Sequence, residues 1–273
     1  MTYPFLKGHG TENDFVLLPD HDGTVHGDLS DDRVRALCDR RAGIGGDGVL
    51  RVIRSEALGG ALGETGAEWF MDYRNADGSI SEMCGNGVRV FARHLLDEGL
   101  VEADRPVEIA TRDGVKTVTV EGDLLAVDMG TPRRGADSTV TVGERSWSAV
   151  NVDMGNPHAV AFVGDLAEAG PLLEAPGHDS DVYPDGVNVE FVVRRAPQHV
   201  AMRVHERGSG ETRSCGTGAC AVMVATALAD DAARGTAYRV DVPGGTLSIT
   251  WTDDDRIVMT GPAVIVASGT THL

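Results

Sequence analysis

Residues 84–96 read Cys-Gly-Asn-Gly-Val-Arg-Val-Phe-Ala-Arg-His-Leu-Leu, and residues 215–228 read Cys-Gly-Thr-Gly-Ala-Cys-Ala-Val-Met-Val-Ala-Thr-Ala-Leu. Each opens with Cys-Gly-x-Gly and continues as an apolar run, and the two cysteines stand 131 residues apart in a chain of 273. A recurrence at nearly half the chain length is the mark of an internal repeat. Other pieces recur in the same order. Asp47-Gly48-Val49 leads into Leu-Arg-Val-Ile, as Asp185-Gly186-Val187 leads into Asn-Val-Glu-Phe-Val. A strand-like WFMDYRNADG (69–78) precedes Cys84, and VAMRVHERGSG (200–210) precedes Cys215. Met129-Gly130-Thr131-Pro132 and Met259-Thr260-Gly261-Pro262 close the two halves. One shared tetrapeptide would be chance; an ordered series argues for two similar domains.

Around these motifs the chain reads as strands and tight turns. Residues 106–130 and 238–261 each form a meander in which Asp-Gly, Gly-Asp or Pro-Gly-Gly punctuates alternating β-branched runs. The second run after Cys215 has no polar face (Ala219, Cys220, Ala221, Val222, Met223, Val224, Ala225, Ala227, Leu228), and such a helix is normally enclosed by protein. The first run (Val88, Val90, Phe91, Ala92, Leu95, Leu96) is core-like as well. The expected architecture is mixed α/β, each half a β-rich unit wrapped around one prominent helix that starts just after its cysteine. A shorter helix is expected over Asp31 to Arg41, capped by Ser30.

Composition narrows the function. With 24 Lys and Arg against 42 Asp and Glu, the formal net charge is −18, which disfavours phosphate backbones and anionic lipid, so no nucleic-acid or membrane partner is expected. The N-terminus lacks the basic and apolar regions of a secretory leader, and the most apolar stretch, Ala219 to Ala229, is far shorter than the roughly 20 residues that span a bilayer. Four cysteines, at 38, 84, 215 and 220, read as thiols of a cytoplasmic protein rather than a disulfide framework.

The chemistry sits at Cys84 and Cys215. A helix N-terminus offers backbone N–H groups and partial positive charge, which favours a thiolate and a bound carboxylate. The flanking glycines allow close backbone approach. Ser214 is the candidate cap of the second helix, whereas Met83 cannot cap the first. If the halves face one another, a carboxylate would be held between two helix termini with a thiol on each side of its α-carbon. One thiolate would then remove the α-proton and the opposite thiol would return one, inverting the centre. The usual alternative, pyridoxal phosphate, needs a Schiff-base lysine. The chain has only Lys7 and Lys116, neither placed as a cofactor anchor, so no cofactor is expected. No Cys-x-x-Cys or clustered Cys/His spacing suggests a metal. Cys38 and Cys220 lack the glycine context, and Cys220, on the apolar helix, reads as core. Gly43 to Gly48 lacks the Lys-Ser/Thr of a phosphate loop and reads as a turn. His158 stays open between a structural and a site role, and Glu206 with Arg207 between a surface ion pair and the site.

These motifs resemble the diaminopimelate epimerase family. The resemblance is carried by Asn13-Asp14-Phe15, Gly43-Ile44-Gly45-Gly46-Asp47-Gly48, Asn75-Ala76-Asp77-Gly78-Ser79, Met83-Cys84-Gly85-Asn86-Gly87, Met154-Gly155-Asn156-Pro157-His158, Gly186-Val187-Asn188, and Glu206-Arg207-Gly208 running to Ser214-Cys215-Gly216-Thr217-Gly218. It implies two pseudo-symmetric α/β domains, each a β-barrel-like sheet around a central helix. The domains would comprise 1–128 with 263–273, carrying Cys84, and 129–262, carrying Cys215. It implies interconversion of LL- and meso-2,6-diaminopimelate for lysine and cell-wall precursors, by a homodimer. By position, Cys84 and Cys215 would be the acid–base pair. Amides around Gly85-Asn86 and Gly216-Thr217 would hold the reacting carboxylate. Asn13, Asn75, Asn156, Asn188, Glu206 and Arg207 would bind the substrate, with Arg207 on the distal carboxylate and Glu206 on the distal ammonium. Two positions depart from the family's pattern: Glu12 stands where a glycine is common, and Gly48 where some members have glutamine. Two other readings stay open, a proline or hydroxyproline racemase on the same scaffold and a non-catalytic binding protein that kept the fold.

Overall fold

The computed structural model describes residues 2–273. The chain divides into two compact units, one running to Val127 and joined by Gly261–Leu273, the other Asp128–Thr260. Their strands pair in the same order and sense. In the first unit the order is Val264–Thr271, Tyr3–Gly10, Asn13–Pro19, Gly48–Arg54, Trp69–Asn75, Val107–Thr111, Gly114–Glu121, Leu124–Asp128. The successive pairings are antiparallel, antiparallel, parallel, antiparallel, parallel, antiparallel and antiparallel. In the second unit Ser138–Val142, Arg145–Asp153, Pro157–Phe162, Asn188–Ala196, His199–Glu206, Ala237–Val242, Gly245–Trp251 and Ile257–Gly261 repeat that series without exception. The final strand of the chain therefore pairs with the first strand of the chain.

Each unit has one helix inserted before its second parallel pairing, Gly85–Asp97 and Gly216–Ala229. A parallel neighbour cannot be reached by a hairpin, and the helix supplies the crossover. The first helix touches every strand of its unit from Tyr3–Gly10 to Gly114–Glu121 and also Val264–Thr271, so strands surround it. The second is enclosed by the six strands between Arg145 and Trp251 in the same way. Strands with helix on one side and a second layer on the other are buried on both faces, and their sequences are continuous apolar runs. Phe15, Val16, Leu17 and Leu18 are all fully buried. Phe15 turns to the central helix, while Val16 and Leu18 pack with Val34, Leu37 and Cys38 of the helix Asp31–Cys38.

That short helix is capped by Ser30, as its sequence predicts, but ends at Cys38 rather than Arg41. Asp39 Oδ1 accepts the N–H groups of Arg41 and Ala42 at 2.7 and 2.8 Å, a local turn that competes with the helix. Gly43 then lies so close to the carbonyl oxygen of Ala36 that a Cβ would stand 2.0 Å from it, which is why the turn needs glycine there.

Because Phe91 is fully buried on the first central helix, Phe91→Ala is expected to lower unfolding stability by roughly 3–5 kcal/mol, read by denaturant titration.

Candidate active site

Cys84 and Cys215 are themselves the N-caps of the two central helices, with extended backbone at φ −145°, ψ 117° and φ −113°, ψ 114°. Their sulfurs accept the N–H groups of Gly87 at 3.5 Å and Gly218 at 3.4 Å. The expectation that Ser214 caps the second helix is therefore corrected. The cap position falls one residue later, where the thiol takes the place usually filled by a serine or aspartate oxygen. The helical ladders begin with Val88 N–H to Cys84 O and Ala219 N–H to Cys215 O. The amides of Gly85, Asn86, Gly216 and Thr217 stand ahead of the ladder, where a helix presents donors to an anion.

In the first unit the thiol is embedded in a polar row. Cys84 Sγ donates to Asn13 Oδ1 at 3.6 Å, and Asn86 Nδ2 donates to the same oxygen at 3.1 Å. Asn13 Nδ2 donates to Asp47 Oδ2 at 2.8 Å, and the fully buried Arg89 donates to Asn86 Oδ1 at 2.8 Å. Asn86 is itself fully buried, so its side chain serves this row. Asp47 is held by Arg40, which also grips Asp14 through both guanidinium nitrogens at 2.7 and 3.0 Å, and Lys7 completes the cluster on Asp14. Asn75 stands apart in its own turn, where its amide donates to Ser79 Oγ at 3.0 Å. It is the register partner of Gly48. A Cβ on Gly48 would stand 2.5 Å from Arg74 O, so the backbone here leaves no place for a longer side chain. Glu12 has φ +62°, a left-handed backbone conformation that favours glycine.

In the second unit Cys215 is buried, with Thr217 Oγ1 at 3.5 Å. Beneath the helix start lies Glu190, whose Oε1 would be 2.7 Å from a Cβ placed on Gly218. Glu190 contacts His158 Nδ1 at 2.6 Å, and His158 Nε2 is 3.0 Å from Asn156 Oδ1. Asn188 is tied at both ends, donating to Pro157 O and accepting Arg207 N–H, each at 3.0 Å. The Arg207 side chain is exposed and donates to Asp185 O at 3.0 Å, while Thr212 Oγ1 donates to Glu206. Arg207 thus makes no ion pair with Glu206, and Glu206 instead bears on the thiol.

The expected depression of both thiol pKa values needs correction at Cys215. Burial, reinforced by the Glu206 carboxyl, pushes this thiol well above its ordinary range, against the opposing contacts from Thr217 and Gly218. Desolvation of the charged form wins over the helix terminus. Cys215 is therefore a protonated thiol at neutral pH. Cys38 and Cys220 are buried among apolar residues, and burial lifts the Cys38 thiol to about 11. Both lysines are engaged, Lys7 with Asp14 and Lys116 with Asp113 at 2.8 Å. Among the described residues no three His, Cys, Asp or Glu side chains cluster as a metal site.

Arg89 and Glu190 carried no signal in the sequence that set them apart from other charged residues, and Asp47 stood out only as part of a repeated Asp-Gly-Val turn. Only the equivalence of strands 48–54 and 188–196 in the repeat marks Glu190, because the matching residue is Leu50.

The family described as diaminopimelate epimerase matches residues 5–135 and 150–266. A diaminopimelate epimerase of Streptomyces coelicolor is 63% identical over 275 residues, covering 97% of this chain and 94% of its own. One from Rhodococcus jostii is 48% identical over 282 residues, covering 97% and 96%. Among solved structures, a phenazine biosynthesis protein of the PhzF family from Bacillus anthracis superposes at TM-score 0.73 and 17% identity over 100% of both chains. A hydroxyproline epimerase from Agrobacterium vitis with bound trans-4-hydroxy-L-proline gives 0.69 at 16% identity, covering 99% of this chain and 92% of the other. At such identities these two speak for the fold alone.

Burial would raise the Asp14 carboxyl, but hydrogen bonds from Arg40 and Lys7 outweigh it and hold it at about 2. Its ionised form therefore stabilises the fold above its unfolded pKa, and that contribution is lost as pH falls from about 4 toward 2. Asp14→Asn is expected to be about 1–2 kcal/mol less stable than the parent at pH 7, allowing for solvent screening, with the gap closing over that window in pH-dependent urea titrations.

Proposed function

The chain belongs to the diaminopimelate epimerase family, and from that premise we propose that it interconverts LL- and meso-2,6-diaminopimelate by passing an α-proton between Cys84 and Cys215 without a cofactor. The observation that carries the reading is the equivalence of the two thiols: each caps the enclosed helix of its own unit and accepts the amide three residues on. The reacting carboxylate lies on the amides of Gly85-Asn86 and Gly216-Thr217. Negative charge that develops on it as the α-proton leaves is stabilised there by fixed N–H dipoles. One of the two sulfurs, as thiolate, removes the α-proton while the opposite thiol supplies one to the other face, and the reverse direction exchanges the roles.

Asn13, whose oxygen holds the Cys84 thiol, aims that sulfur and with Asn75, Asn156 and Asn188 frames the substrate. Arg207 binds the distal carboxylate and Glu206 the distal ammonium, which a proline-type substrate lacks. The enzyme acts as a homodimer on this small molecule, with no nucleic-acid or membrane partner. A reducing cytoplasm suits it, because the mechanism needs both sulfurs as thiol or thiolate.

Cys84→Ser and Cys215→Ser are each expected to cut turnover at least about a hundredfold, since an alcohol is a far weaker base. A coupled assay on LL-diaminopimelate, with proline as control, measures this, and full activity in either variant would end the two-thiol reading. Arg207→Ala is expected to raise KM about tenfold or more with a smaller change in kcat; an unchanged KM removes Arg207 from the site. In D₂O, deuterium should appear at the α-carbon with no added pyridoxal phosphate.

A further inference from the structure

The two units fix one asparagine each by different means. Asn13 and Asn156 hold equivalent places, two residues before the side chain that enters beneath the cysteine helix, Phe15 in one unit and His158 in the other. On the neighbouring strand Leu50 of the first unit corresponds to Glu190 of the second. A Cβ on Gly87 would meet Leu50 at 3.3 Å and Phe15 at 3.6 Å, as one on Gly218 would meet Glu190. An apolar pair thus serves this fold perfectly well. In the second unit it is replaced by a carboxyl and an imidazole, both fully shielded from solvent.

The hydrogens along this row can be assigned. Asn156 Oδ1 only accepts, so the His158 Nε2 that faces it at 3.0 Å carries a hydrogen. Nδ1, at 2.6 Å from Glu190 Oε1, then either accepts from a protonated carboxyl or donates to a carboxylate from a doubly protonated ring. Either way the pair holds one shared proton and no net charge. A lone carboxylate would be costly here, because Glu190 Oε2 is buried and has no hydrogen-bond partner. Burial accordingly raises the proton affinity of Glu190, although His158 opposes it.

We propose that Glu190 is a positioning residue which, by sharing one buried proton with His158, locks the Asn156 amide with its oxygen inward and its NH₂ outward, as a donor to a substrate oxygen. The functional half of this statement rests on the reading that Asn156 meets the substrate. The titratable groups facing Glu190 are His158, Glu206, Tyr183 and Cys215. A net-neutral pair changes none of them when it is replaced by another neutral pair.

The test begins with substrate-free protein carrying ¹⁵N-labelled histidine. His158 is expected to stay protonated at Nε2 between about pH 6 and 9, and a ring bare at Nε2 with its hydrogen on Nδ1 overturns the proposal. Glu190→Gln donates to Nδ1 and preserves the lock. It is expected to keep KM for LL-diaminopimelate within about threefold and to leave the pH profile of kcat/KM in place. A profile displaced to lower pH would mean that a full charge beside Cys215 had been removed, and would refute the shared proton. Glu190→Leu breaks the lock and should raise KM about tenfold or more with a smaller effect on kcat, whereas an unchanged KM also refutes it. Should the leucine variant fail to fold, the glutamine variant and the histidine spectra still decide. The spectra need no substrate, so inactivity of the parent enzyme on LL-diaminopimelate would sink the functional reading while leaving the proton assignment to be judged separately.

Discussion

A sulfur that accepts a backbone amide at the head of a wholly enclosed helix is the contact on which the rest of each unit depends. It requires the residue three positions on to approach closely, and at Gly218 a side chain would collide both with the sulfur and with Glu190. Strands cover the helix on nearly every side; that of the second unit is apolar almost all round, whereas that of the first carries Asn86, Arg89 and His94 into the interior. The same contact also leaves the first-turn amides ahead of the ladder, which is where an anion is accommodated. The Cys-Gly-x-Gly signature therefore joins packing to chemistry in four residues.

The repeat preserves topology while varying what supports each thiol. Beneath Cys84 the core is Phe15 and Leu50, and the polar support comes from the side, through Asn13, Asn86, Asp47 and Arg89. Beneath Cys215 the support comes from below, through Glu190 and His158. Burial and the Glu206 carboxyl raise the proton affinity of the Cys215 thiol, whereas a neutral asparagine oxygen merely orients the Cys84 one. A pseudo-symmetric scaffold can in this way carry two chemically unequal cysteines, which suits a reaction needing one acid and one base at any moment.

Several of the candidate site residues bond to one another and to the backbone around them. Asn188 bonds at both ends to backbone groups of Pro157 and Arg207, which sets the path of the Arg207 loop. Asn86 is buried and bonded to Arg89 and Asn13. Their geometry is set by these bonds, and a substitution at any of them would move its neighbours too.

The two enclosed helices, the meanders and the pairing of halves were legible in the sequence because apolar periodicity, glycine turns and a repeated motif are local signals. So were Cys84 and Cys215, since a helix start can be read from composition alone. The extent of the helix after Ser30 was not, because Asp39 diverts the backbone through side-chain bonds that compete with helical ones. Nor was the direction of the Cys215 shift, which depends on how much water the fold excludes and on which carboxyls it brings near. Tertiary structure alone placed Glu190 under Gly218 and His158 between Glu190 and Asn156, because strands distant in sequence become neighbours only when the sheet closes around its helix.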